Sequence, residues 1–184
     1  MYFNEIREKA EMSISSLQNA LMKMEKSGEI VKYKEKANTF YSLKNKEEIS
    51  SNFAKFDIQR LNHLNPNVKI PIKELREKVH NIAFILLFGS ASMGKEKKGS
   101  DIDLLVVTYY FENKHLNRIY QKEIRKNVEE IKKIVNAKSL YPLSIVFIDE
   151  SEFKTRKDYL LEEAKTGFCI HKQQDYYLQL ENEN

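Results

Sequence analysis

The chain has 184 residues, 41% of them hydrophobic, enough to bury a core as one domain or as two small ones. Its formal net charge of +4 and pI near 8.9 favour a polyanionic partner only mildly, because lysine and glutamate are interspersed as on an ordinary solvated surface. One cysteine, Cys169, excludes an internal disulfide, no apolar run is long enough to cross a bilayer, and the polar start is unlike a signal peptide, so the expectation is a soluble, cytoplasmic protein without a membrane partner.

Residues 1–45 read as a unit of their own. A short helix over 2–9 and a turn over 10–13 lead to a second helix over 14–27, with Ile14, Leu17, Leu21 and Met24 on one face. Ser13 is its N-cap and Gly28 its stop. Strands over 29–34 and 39–43, joined by 35–38, make a hairpin. Helix, turn, helix and hairpin in this order resemble a winged-helix DNA-binding domain. The resemblance implies a second helix in the major groove of double-stranded DNA, offering Ser15, Ser16, Gln18, Asn19 and Lys23, with Lys34 and Lys36 of the wing on phosphates. The same module could instead serve homodimerisation or partner docking.

Residues 46–81 read as a helical linker. Ile49, Phe53, Phe56, Leu61 and Leu64 recur at near-helical spacing until Asn65-Pro66-Asn67, and a second helix follows Pro71 with Ile72, Leu75, Val79 and Ile82 as a packing stripe. His63 and His80 have no partner at metal-ligand spacing.

The stretch from Ile82 to Val107 carries the chemistry. An apolar run to Phe88 is a buried strand, ended by Gly89-Ser90; ten residues later Asp101 and Asp103 open a second apolar run. Side chains alternate along a strand, so the two carboxylates share a face, roughly 6 to 7 Å apart at about 3.3 Å per residue. Carboxylates that close repel one another, and a bound cation relieves the repulsion. Oxygen ligands of this kind suit Mg²⁺ together with waters and nucleotide phosphates. Gly89 lets a phosphate approach the backbone and Ser90 adds a hydroxyl donor, so phosphoryl or nucleotidyl transfer is the indicated chemistry.

Gly89-Ser90, ten residues, then Asp101-x-Asp103, flanked by strands, is similar to the minimal nucleotidyltransferases of the polymerase-beta superfamily, and the likeness extends over about residues 82–171. It implies Asp101 and Asp103 as catalytic and metal residues for Mg²⁺ or Mn²⁺, Gly89 and Ser90 as nucleotide-binding residues, and a nucleoside triphosphate, ATP, as substrate. In the family a third carboxylate usually stands on a later strand; here its place falls to Ser144, with Asp149 and Glu150 at the far end. Where an arginine often precedes glycine, this chain has Met93 before Gly94. Lys95, Lys97 and Lys98 read as triphosphate contacts or as a solvated loop.

Beyond the motif, residues 113–136 form an amphipathic helix with Leu116, Ile119, Ile124, Val128, Ile131 and Val135 facing in. A strand over 143–148, one helix over 152–165 and a strand over 167–171 follow, Cys169 being a buried thiol. Residues 173–184, with Tyr176 and Tyr177, read as a tail or a subunit contact.

The expected fold class is α+β, a winged helix over 1–45 and a nucleotidyltransferase-type small mixed sheet flanked by helices over 82–172. The expected activity is transfer of AMP from Mg·ATP to a hydroxyl of a protein or small molecule. A toxin partner as protein acceptor is implied by the resemblance alone. The alternative is a DNA-binding transcriptional regulator whose second domain senses nucleotide, or only assembles, without chemistry.

Overall fold

The computed structural model describes residues 1–35, 38–44 and 46–181, which leaves Lys36 of the expected wing outside the described residues. The chain divides into two compact units, Met1–Asn52 and Phe53–Asn184.

In the first unit, α1 (Phe3–Ala10) and α2 (Ile14–Lys26) precede a hairpin of β1 (Ile30–Glu35) and β2 (Asn38–Leu43). Ser13 caps α2 by accepting the Ser16 amide, and Gly28 leaves the helix at φ +79°, a conformation that glycine adopts without a Cβ clash. The hairpin is antiparallel, with Ile30 opposite Leu43 and Glu35 opposite Asn38. Leu17, Leu21 and Ile30 form a small core against Phe3, Ile6, Met24 and Tyr41. Ile14, expected on the buried face, is 51% exposed, because it opens the first turn of α2 ahead of that core.

Next, α3 (Lys46–His63) crosses from the first unit into the second, and α4 (Pro66–Lys78) follows. The sequence places the start of α4 after Pro71, but the helix begins a turn earlier. Asn65 caps it by accepting the Asn67 amide, and Pro66 occupies the first position, where a missing N–H costs nothing. Pro71 lies inside the helix and forgoes one backbone bond, while its ring is buried beside Val68, Ile72 and Leu75.

The second unit is built on a four-stranded sheet of β3 (Phe84–Phe88), β4 (Ile102–Thr108), β5 (Leu143–Asp149) and β6 (Phe168–His171), ordered β5-β4-β3-β6. Strand β3 is antiparallel to β4 and β6, and β4 is parallel to β5. Strand alternation splits the core in two. On one face Ile85, Leu87, Ile102, Leu104 and Val106 pack with Leu61, Ile72 and Leu75 and with Val128, Ile131 and Val135 of α6 (Lys114–Asn136). On the other, Phe84, Leu86, Leu105, Val107 and Ile148 pack with Phe153 of α7 (Glu150–Thr155), Leu161 and Ala164 of α8 (Tyr159–Thr166), and Tyr176 of α9 (Gln173–Glu181). Between β3 and β4, Gly89–Ser92 forms a single helical turn, α5.

Three expectations need correction. Leu116 and Ile119 are 56% and 43% exposed, so the inward face of α6 begins only farther along, reaching full burial at Val128. The single helix expected over 152–165 is two: α7 ends at Arg156, which is extended at ψ 134°, and Asp158 caps α8 by accepting the Leu161 amide. The segment expected as a tail forms α9, because Tyr176 is buried against Phe84 and Phe153.

Candidate active site

The site lies where β3 ends and β4 begins. Phe88 is the last residue of β3 and stands opposite Asp103. Gly89 turns the chain at φ +66°, where a side chain would be strained. A Cβ on Gly89 would also stand 2.6 Å from Asp103 Oδ2, so a side chain there would push the Asp103 carboxylate aside as well as strain the turn. The Ser92 hydroxyl donates to the Gly89 carbonyl at 2.8 Å and the Lys95 amide to the Ser90 carbonyl at 2.9 Å, which ties the turn to the loop behind it. From α3, Arg60 reaches the Ser92 carbonyl at 3.5 Å while its guanidinium lies 4.1 Å from the centroid of the Phe168 ring.

Asp103 is half-buried between the buried Ile102 and Leu104, whereas Asp101, immediately before β4, is exposed. Asp103 shares its sheet face with Leu105 and Val107, on the side covered by α7, α8 and α9. Parallel pairing sets Ser144 of β5 directly beside Asp103. Burial pushes the Asp103 carboxyl above the usual carboxylate range; a hydrogen bond from Ser144 opposes this, and the charges of Asp101 and of Glu163 on α8 add to the rise. The site is thus electronegative and partly desolvated.

The position expected for a third carboxylate is therefore a hydroxyl that hydrogen-bonds Asp103. Asp149, five residues on, is committed elsewhere: its side chain accepts the Glu152 amide at 2.9 Å while Glu152 reaches back to the Asp149 amide, a reciprocal cap on α7. Among the described residues no three His, Cys, Asp or Glu side chains gather at metal-binding range. Two carboxylates still fit Mg²⁺, which is commonly held by one or two carboxylates, waters and substrate phosphates. Burial is the main reason the Asp103 carboxyl is raised, and the smaller part that comes from the charge of Asp101 is what such a cation would relieve.

The remaining candidates are placed as follows. Ser90 is half-buried in α5, while Met93, Lys95, Lys97 and Lys98 are on the loop after it, which Ser100 closes by accepting the Lys97 amide. Ser15, Ser16, Gln18, Asn19 and Lys23 lie on α2 outside its buried stripe of Leu17 and Leu21, and Lys34 is exposed on β1. Cys169 is buried with its thiol pushed up by burial, which is the opposite of a nucleophile's environment. Glu163 and Arg60 are the contributors that sequence reading missed. Nothing local marks either, since each is one charge on a helix brought in by tertiary packing.

The small mixed sheet thus carries a glycine turn closed against Asp103, with Asp101 two residues earlier. A family model described as the nucleotidyltransferase domain matches residues 68–166, more than half of the chain, and the chain belongs to this family. Two solved structures are among those the chain resembles. One, a toxin-antitoxin with AMP-PNP, is 23% identical over 65% of this chain and 84% of that one, with a TM-score of 0.36. The other, a candidate nucleotidyltransferase from Sulfolobus solfataricus, is 20% identical over 59% of this chain and 78% of that one, with a TM-score of 0.29. A comparison with curated proteins found no match.

Proposed function

We propose that the chain transfers AMP from ATP to a hydroxyl group of a protein or small molecule, releasing pyrophosphate. The observation that carries this reading is the closure of Gly89 onto Asp103, with Asp101 two residues earlier. Asp101 and Asp103 would hold Mg²⁺ or Mn²⁺, whose chemistry when bound is to neutralise the triphosphate and polarise the reacting phosphorus. The Asp103 carboxylate fills the side of Gly89 where a Cβ would stand, so phosphate oxygens would approach the backbone N–H groups of the turn, and the Ser90 hydroxyl would donate to them. Ser144 orients the Asp103 carboxylate through its hydrogen bond. The acceptor oxygen attacks the α-phosphorus, the bond from that phosphorus to the bridging oxygen breaks, the pair of electrons leaves with pyrophosphate, and the acceptor proton passes to solvent.

Calorimetric titration of ATP with Mg²⁺ tests the site. Binding is expected in the native chain and loss of binding in Asp101→Ala/Asp103→Ala with the fold retained; no binding at millimolar ATP would sink the ATP reading. The hydroxyl at Ser144 favours a second reading, in which nucleotide binds and no transfer follows because nothing activates the acceptor. Nucleotide binding without turnover of labelled ATP against any acceptor would select it. In either case the exposed face of α2, with Lys34 on the hairpin, would be the surface offered to double-stranded DNA or to a partner protein.

A further inference from the structure

A second charged feature lies on the other face of the sheet from the carboxylates. Leu61, Ile72 and Leu75 belong to the core on the α3, α4 and α6 side, whereas Asp103 faces α8. Between the end of α3 and the outer face of α4 is a groove of about 450 Å³, lined by Leu61, Asn62, Lys69, Ile70, Lys73 and Arg76. Lys69, Lys73 and Arg76 are spaced i, i+4 and i+7, which puts three cations on one stripe of α4, where they repel. Among the described residues no carboxylate lines the groove.

The other cations of this region are neutralised. Lys78 and Lys138 both reach Glu74, at 2.7 and 2.8 Å. By contrast, Lys73 meets Glu77 only at 3.8 Å with both side chains exposed, and Lys69 spends its ammonium on the Asn62 carbonyl at 3.2 Å. Arg76 is half-buried, and its Nε is buried without a hydrogen-bond partner among the described residues. Burial weakens the charged form of this guanidinium although the nearby Glu77 charge opposes that, and its unsatisfied buried N–H is costly unless an acceptor completes it. Leu61 and the 63% exposed Ile70 add an apolar wall.

We infer that this groove binds the phosphate oxyanions of a ligand distinct from the triphosphate at the carboxylate pair. Planar guanidinium and flexible ammonium donors are the usual pairing for phosphate, and the apolar wall suits a sugar or base attached to it. The phosphate can belong to a small phosphorylated molecule or to a single-stranded nucleic-acid backbone. The two sources share this chemistry and differ in how much charge they bring.

The test uses the full chain without divalent metal, so that it is independent of the carboxylate site. Inorganic pyrophosphate is titrated by calorimetry and a short labelled single-stranded oligonucleotide by fluorescence anisotropy. In Lys69→Gln/Lys73→Gln binding should weaken about tenfold or more, and the salt slope for the oligonucleotide should shrink by about 1.4, at ~0.7 per phosphate neutralised. Asp101→Ala/Asp103→Ala should bind both probes as the native chain does. Because Lys73 is 73% exposed, the lysine variant should keep its fold; Arg76→Gln, nearer the core, serves as a second variant checked by circular dichroism. Loss of both probes identifies a free phosphate group as sufficient, and loss of the oligonucleotide alone identifies the backbone. Failure of both probes to bind the native chain, or equal binding by the lysine variant, overturns the inference.

Discussion

At the scale of single residues, Gly89 couples backbone conformation to the chemistry. Its positive φ and the 2.6 Å approach of any Cβ to Asp103 Oδ2 mean that Gly89→Ala must strain the turn, displace the carboxylate, or both. The torsional part alone costs about 1–2 kcal/mol. A melting temperature lower by ~2–8 °C, with loss of metal-dependent ATP binding, is the expected outcome by calorimetry. His171 provides a separate pH effect. Burial lowers its pKa to about 4, with Arg76, Lys172 and His80 adding in the same direction and Asp175 opposing. The unfolded chain takes up this proton near pH 6.5, so between about 6.5 and 4 it binds more protons than the folded one. Stability is therefore complete above that window and declines as pH falls through it. Thermal melts of His171→Gln should lack this part of the acid dependence.

At the scale of elements, the second unit is stapled by an interaction between segments far apart in sequence. Asp57 of α3 is 1% exposed, and its Oδ2 accepts both the Cys169 amide of β6 at 3.0 Å and the Tyr177 hydroxyl of α9 at 2.7 Å. Burial raises the Asp57 carboxyl, and the two donors and the Arg60 charge oppose the rise. Asp57→Ala would strand a buried backbone N–H and a hydroxyl, at about 2–4 kcal/mol in total. Asp57→Asn keeps one oxygen for both donors and should destabilise distinctly less; chemical denaturation of the two variants compares them directly. Gly167 is a second such constraint. A Cβ there would stand 2.1 Å from the Leu87 carbonyl, so α8 can run into β6 against β3 only with glycine at the junction.

At the scale of the whole molecule, the two units differ in what they bury. The first rests on Leu17, Leu21 and Ile30, whereas the second has an apolar layer on each side of its sheet. A small core of that kind leaves most of the side chains on α2 free to face a partner. If that partner is double-stranded DNA, Lys23→Ala/Lys34→Ala should weaken binding without regard to sequence. The salt slope should fall by about 1.8, at ~0.9 for each phosphate no longer neutralised, measured by anisotropy on duplex DNA. An unchanged slope would remove these lysines from any DNA surface.

The sequence by itself determined those features that depend on neighbours along the chain. Strand alternation put Asp103 and Ser144 on one face and Asp149 on the other, and the spacing of Gly89-Ser90 and Asp101-x-Asp103 placed turn and carboxylates at adjoining strand ends. Ser13 and Gly28 marked the limits of α2 because capping is local. Even so, two local signals went unread: the Asp149-x-x-Glu152 capping box, which opens α7, and Asp158 three residues before Leu161, which opens α8 and so divides it from α7. Only the tertiary structure decided the rest. Near the end of the chain Tyr176 enters the core against Phe84 and Phe153, and the half-buried Tyr177 is anchored because Asp57, 120 positions earlier, offers it an acceptor. Glu163 acts on Asp103, and three cations of α4 meet Asn62 and Leu61 in one groove, because helices that carry no joint sequence pattern are packed onto opposite faces of one sheet. Periodicity reports which side of an element is apolar, whereas which elements share a side is settled by long-range burial and pairing.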